Sequence, residues 1–362
     1  MTLKNKLLSI IAITILIDGC NPGTNNNYDE IALHHAPILY QDTDDWHYSA
    51  DYITRFDYDG DWKGINNWEN LSSFEINAAC YYSVVETATH FFIIYAFYHP
   101  RDWTHIPYIT DEHENDFEGI LSVIKKDNSE FGTLIAMVTT SHTDFYSYVN
   151  PNAGLSANNK SIDGDIRFEV FQNEMHPKIY QGPRGHPIMG DSSVANFSGA
   201  DDEDGVIYFP SLTDSEMPTD GNNRNVQYKL INMADYGNLW TFQLLEAKQN
   251  SSDTKTFYSW GVLKGDDGGD CDGIFPFGCP SNSSNTPWGW DDKDDKNNHR
   301  GEIALNPAKL INYYFKDLGA YETTYANNFY IKDLQEQGFT SNFKPNGWNH
   351  YVVLEELFDL LE

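Results

Sequence analysis

Two runs of aromatic and β-branched residues, separated by a stretch of acid and imidazole, set the strongest limit on how this chain can fold. The first holds Phe91, Phe92, Ile93, Ile94, Tyr95 and Phe97, and the second runs from Ile120 to Ile124. Such residues favour the pleated, buried surface of a strand. The first strand is expected to break at His99-Pro100, because proline has no N–H to give to a ladder. The loop that follows carries Asp102, Glu112, His113, Glu114, Asp116 and Glu118 before the second strand begins. If the backbone is already extended at Asp116, alternation places Asp116 and Glu118 on one face and Phe117 on the other. Polar loops carried on rigid strands are a usual place for a site.

The rest of the chain reads as many short strands with polar connections. Candidates are 31–40, with Pro37 at an edge or bulge, then 78–85, 90–98, 119–125, 131–140, 165–171, 177–180, 206–209 and 225–231. Residues 239–246 read equally as strand or helix. A helical pattern appears only after Pro307, where Leu310, Ile311, Tyr314, Phe315 and Leu318 share a face, and again over 352–361. The expected architecture is an all-β fold: a β-sandwich with long loops over 31–305, followed by a C-terminal helical extension over 306–362.

The N-terminus reads as an address. Lys4 and Lys6 precede an apolar run from Leu7 to Ile17, too short to span a bilayer as a mature helix. Gly19-Cys20 after such a run resembles the lipobox of bacterial lipoproteins. That resemblance implies a signal peptide over 1–19, acylation of Cys20 and a flexible tether over 20–30. It places the protein in the bacterial cell envelope, as an outer-membrane lipoprotein or a secreted protein. Of the other cysteines, Cys271 and Cys279 bracket a loop that a disulfide could close, and Cys80 sits in an apolar context as a buried free thiol.

A formal net charge of −31 repels nucleic acid and anionic lipid and attracts divalent cations. The chain has no nucleotide-binding glycine loop, no G-x-S-x-G elbow and no H-E-x-x-H pair. The acidic loop could supply oxygen and imidazole ligands to a divalent ion, or it could be a solvated acidic surface. His142 ends a strand, and His186 lies in the turn-dense segment Gly182-Pro183-Arg184-Gly185-His186-Pro187. Each is either a turn histidine or a member of the same site. His34-His35 reads as structural.

The segments YAFYHPRD and HENDFEGILSVI resemble the necrosis- and ethylene-inducing (NPP1-like) proteins, a family of secreted cytolysins. The resemblance implies that Asp102, His113, Asp116 and Glu118 hold a divalent metal, with Mg, Ca or Mn expected. His142 falls on a histidine of that family. Asn115 and Phe117 depart from the family heptad, where histidine and tryptophan stand, which bears on cytolysis more than on metal binding. APILYQDTDDWHYSADYI and HPKIYQGPRGHPIM also look like the vacuolar-protein-sorting-associated protein 62 type of family, and by that resemblance His186 joins the site.

Two functions follow as expectations. One is a monomeric surface lipoprotein that binds a carbohydrate or lipid headgroup through a metal, with cytolytic action, and with Trp46, Trp62 and Trp103 as stacking surfaces. The other is a metal-dependent hydrolase of phosphoesters or glycans, in which His142 or His186 acts as general acid or base.

Overall fold

The computed structural model describes residues 28–44, 47–102, 113–141, 144–190, 205–250, 263, 286–290, 292, 301–316, 318 and 324–337. The leader, Cys20, Trp46, Trp103, Glu112, His142, Cys271, Cys279 and the 352–361 segment lie outside the described residues. Among the described residues, no helix is long and apolar enough to cross a membrane.

Fifteen strands are described. They are β1 (Ile38–Gln41), β2 (Ala79–Thr87), β3 (His90–Asp102), β4 (His113–Lys125), β5 (Thr133–Ser141), β6 (Asp144–Val149), β7 (Ser156–Ala157), β8 (Gly164–Asp165), β9 (Arg167–Phe171), β10 (Glu174–Gln181), β11 (Ile188–Met189), β12 (Val206–Ser211), β13 (Val226–Asn232), β14 (Phe315–Lys316) and β15 (Tyr325–Asn327). Thirteen form one sheet in the order β11-β10-β1-β12-β13-β2-β3-β4-β5-β6-β8, with β9 on β10 and β15 on β2.

The all-β expectation holds, but the sandwich gives way to one sheet that curls almost closed. The β11 end of the sheet comes to lie against β5, and Gly190 packs on the Tyr148 ring of β6. A half-buried sandwich strand alternates apolar and polar residues, whereas the central strands here are apolar on both faces. Their two faces line two cores. Ile93, Tyr95, Phe97, Ile120, Ile124 and Met137 point inward, where they meet Leu39, Ile179, Ile188, Tyr208 and Tyr228 from the rest of the barrel. Ile94, Ala96, Tyr98, Phe117, Leu121 and Val138 point outward.

Described segments after residue 232 cover that outer face. Trp240 from the helix Leu239–Asn250, Ile303 from the helix Glu302–Leu305, Leu310 and Ile311 from the helix Pro307–Tyr314, and Tyr330 from the helix Phe329–Glu336 share its core, with Trp288 and Trp290. Gly119 gives Trp290 its seat. A Cβ there would lie 2.0 Å from the indole.

Two local expectations are corrected. Residues 28–35 form a helix ahead of β1, with Asp29 and Glu30 in its first turn and His34 and His35 in its last, which suits the helix dipole. Pro37 follows as a stop. β3 also runs through His99-Pro100 to Asp102. The last β3 residue in register with β2 is Ala96, so Pro100 sits where β4 is the strand's remaining ladder partner and a missing donor is tolerated as at a sheet edge. Residues 113–118, expected in the loop, therefore belong to β4.

Candidate functional site

The pairing of β3 with β4 brings the acidic residues together at one end of the barrel. His99 lies opposite Asp116, Arg101 opposite Glu114, and Asp102 opposite His113. Phe117 packs on Tyr98 toward the outer core while Asp116 meets His186 on the other face, so the expected alternation is observed. Just before them, Asn115 adopts φ 59°, a left-handed conformation that asparagine tolerates better than most residues. Its buried side chain accepts from Tyr98 Oη at 2.6 Å and Asn67 Nδ2 at 2.9 Å, and donates to the Gly64 carbonyl. Asn115 thus ties the 55–70 segment to β4. Glu114 is buried and accepts the Trp68 N–H at 2.9 Å. The Arg101 guanidinium lies 3.3 Å from the centre of the Trp68 ring.

Beneath Asp116 lies a closed ionic network. His186 Nδ1 is 2.7 Å from Asp116 Oδ2, and its Nε2 is 3.2 Å from Asp51 Oδ1. Asp51 also accepts the N–H of Asp44 and of Arg184, both at 2.7 Å. The Arg184 side chain turns back to Asp44 Oδ2, with Nε at 2.9 Å and the terminal nitrogen at 2.6 Å. Arg184 and His186 both have positive φ, at 70° and 53°. The loop holds these costly conformations through Gln181 Nε2 to the His186 carbonyl and Gln41 Nε2 to the Gly182 carbonyl.

The electrostatics follow from burial and contact. Burial alone would lower the His186 pKa, but hydrogen bonds to Asp116 and Asp51 outweigh it and lift it to about 9. Burial alone would raise Asp116. The hydrogen bond and charge of His186, then the charges of His113 and His99, hold it well below the usual carboxylate range. His99 stacks on His186, with ring centroids 3.6 Å apart and ring planes nearly parallel. Burial and the neighbouring His186 drive its pKa far down. Gln181 and the Asp51 backbone lie near enough to favour its charged form, yet neither ring nitrogen has a partner in hydrogen-bond geometry.

The expected metal set is brought to one end of the barrel but divided there. Asp102 Oδ2 and His113 Nε2 pair at 3.4 Å, with side chains 18% and 16% exposed, and form the accessible part. Asp116 Oδ2 is taken by His186, and Glu118 accepts the Thr140 hydroxyl. Among the described residues, no three His, Cys, Asp or Glu side chains converge tightly enough to ligate one ion. As arranged, the four do not form a ligand set. Trp62 is packed between Phe56 and Phe242 rather than offered for stacking. Asp44, Asp51, His99 and Arg184 went unforeseen. Arg184 lies in the turn-dense segment around His186, and Asp44, Asp51 and His99 lie inside the segments that carry the family resemblances, but no role was read for any of them.

No family model matches the chain, and no curated protein matches it. Solved structures do. The chain resembles necrosis- and ethylene-inducing proteins. The structure described as "Toxin fold for microbial attack and plant defense" is 16% identical, covers 47% of this chain and 71% of its own, and has a TM-score of 0.27. "NLPPya in complex with glucosamine" is 14% identical over 46% and 70%, with a TM-score of 0.25. Necrosis and Ethylene inducing Protein 2 from the causal agent of cocoa's Witches Broom disease is 13% identical over 55% and 72%, with a TM-score of 0.24. At these values the likeness carries nothing about activity.

Proposed function

We propose that this chain is a binding protein whose acidic barrel end takes a carbohydrate or lipid headgroup, with a divalent ion (Mg, Ca or Mn) recruited to the Asp102, His113, Asp116 and Glu118 region. The observation that carries the reading is the accessible Asp102–His113 pair standing over a locked Asp116–His186–Asp51 network. A negatively charged floor under a partly exposed carboxylate–imidazole pair suits recognition of a cation or of a cationic sugar amine. Asp102 and His113 would supply the ion's first ligands, while Asp116 and Glu118 stay engaged by His186 and Thr140.

The hydrolase reading is the weaker one. His186 is wholly buried and bridges two carboxylates, which hold it protonated at neutral pH. A general base must be deprotonated and within reach of substrate. Cytolysis belongs to the proposal as a consequence of headgroup binding, and anchoring through acylated Cys20 as its location.

Titration of the purified protein with Mn, Ca and Mg, each with and without glucosamine or mannosamine, tests the reading. Liposome leakage with and without chelator separates cytolysis from simple adhesion, and fatty-acid labelling that disappears in Cys20→Ala tests the anchor. Absence of any cation or sugar binding would overturn the binding reading.

A further inference from the structure

The other end of the barrel is closed by the helix Tyr28–His35. Ile31 and Ala32 enter the inner core. Tyr95 Oη donates to the Ala32 carbonyl at 2.7 Å, and Tyr82 Oη donates to Asp29. The last turn of this helix is held by imidazoles. His35 Nε2 lies 3.0 Å from the Phe131 carbonyl, in the turn between β4 and β5. His176 Nδ1, from β10, lies 2.8 Å from the Ala36 carbonyl. A carbonyl can only accept, so each ring donates from that nitrogen. His34 stands edge-on to His35 with centroids 4.7 Å apart, lies 4.6 Å from the Phe131 ring, and places Nδ1 2.9 Å from Glu174 Oε2.

We propose that His35 and His176 form an acid-sensitive latch, whose protonation releases the helix Tyr28–His35 and uncaps the barrel at the end away from the acidic site. Two imidazoles buried at 4% and 3% exposure cannot both charge in place beside a third without strong mutual repulsion and lost hydration. The groups facing them are Asp127 from the β4–β5 turn, Glu174 beside His34 on β10, and, toward the start of the helix, Glu86 on β2 with Lys126. Asp127 and Glu174 favour the charged rings. Glu86 is engaged by Tyr28 and Lys126. Burial prevails, pushing His35 down to about 4 and lowering His176 as well. Folded-state values below the ordinary imidazole value mean that protons bind preferentially to the undocked helix. Docking therefore weakens as pH falls below about 6.5.

Hydrogen exchange of the full chain at pH 7.5 and 5.0, corrected for intrinsic rates, tests the latch. Protection of the 31–36 amides is expected to fall by about tenfold or more relative to the 93–97 amides of β3. In the double variant His35→Gln, His176→Asn, amide nitrogens replace the two donating ring nitrogens but cannot take a charge, and protection is expected to persist at pH 5.0. Unchanged relative protection in the wild type would overturn the proposal, as would equal loss in the double variant. If that variant does not fold at pH 7.5, the wild-type comparison together with His176→Asn alone decides.

Discussion

Nδ1 of His186 stands 2.7 Å from Oδ2 of Asp116 in a place that water does not reach, with the two residues 0% and 3% exposed. One residue comes from the loop after β10 and the other from the start of β4. The contact therefore fixes the acidic strand against the opposite wall of the barrel.

Removing the imidazole should cost more than a hydrogen bond. His186→Ala leaves Asp116 and Asp51 buried without their shared cation, a loss of about 3–5 kcal/mol. His186→Gln can still donate to one carboxylate and should lose less. Urea unfolding with unchanged m-values would confirm that ordering. Equal stability of wild type and His186→Ala would contradict the network as described.

The same pair predicts a pH dependence. The folded pKa of His186 stands above the ordinary 6.5, at about 9. Its stabilisation is complete below about pH 6.5 and is lost as pH rises toward 9, a change of about 3 kcal/mol. Asp116 is held below the ordinary 3.8, so its stabilisation is present above that value and fades as pH falls further. The buried histidines His35 and His90, both pushed down to about 4, act oppositely between pH 6.5 and 4. The pair is isolated by subtracting the unfolding profile of His186→Gln from that of the wild type. The difference should be largest between about pH 4 and 6.5.

Gly119 should not accept a side chain. In Gly119→Ala the new Cβ would meet the Trp290 ring at 2.0 Å and the Tyr95 carbonyl at 2.5 Å. Because one of these is backbone, the strain cannot be relieved by a rotamer change alone. A loss of about 1–3 kcal/mol or more is expected, read as a lower melting temperature. Trp290→Ala in the same background should recover part of it.

Asn115 offers a separate test of how the 55–70 segment is docked. Asn115→Ala removes contacts to Asn67, Tyr98 and Gly64 and places alanine at a positive φ. A cost of about 2–4 kcal/mol is expected. Asn115→Gly relieves the backbone strain but not the lost bonds and should fall between. Thermal unfolding of the three proteins gives the order.

Most strands were legible because their apolar runs, such as HFFIIYAFY, have few other folds open to them. Their closure into a barrel was not, since a run apolar on both faces does not say whether sheet or helix covers each side. Residues 28–35 misled for a related reason: a short run beside Pro37 satisfies strand and helix patterns alike. In the site, Asp116, His113 and His186 were legible as chemistry. Asp51, Asp44 and Arg184 were not, because the topology brings them from loops distant in sequence. Glu114 lies in a run of acidic residues, and nothing in that run signals the buried bond it accepts from the Trp68 N–H.

The central claim is most directly tested by calorimetric titration of Mn and glucosamine into the wild type and into Asp102→Ala, His113→Ala. These two side chains are the accessible pair and make no hydrogen bond to His186, so the variant should fold and melt close to the wild type, with a small loss from removing the His113 charge near Asp116. Saturable binding by the wild type and at least about a tenfold loss in the variant are expected. Equal binding by both proteins, or none by the wild type, would contradict the claim.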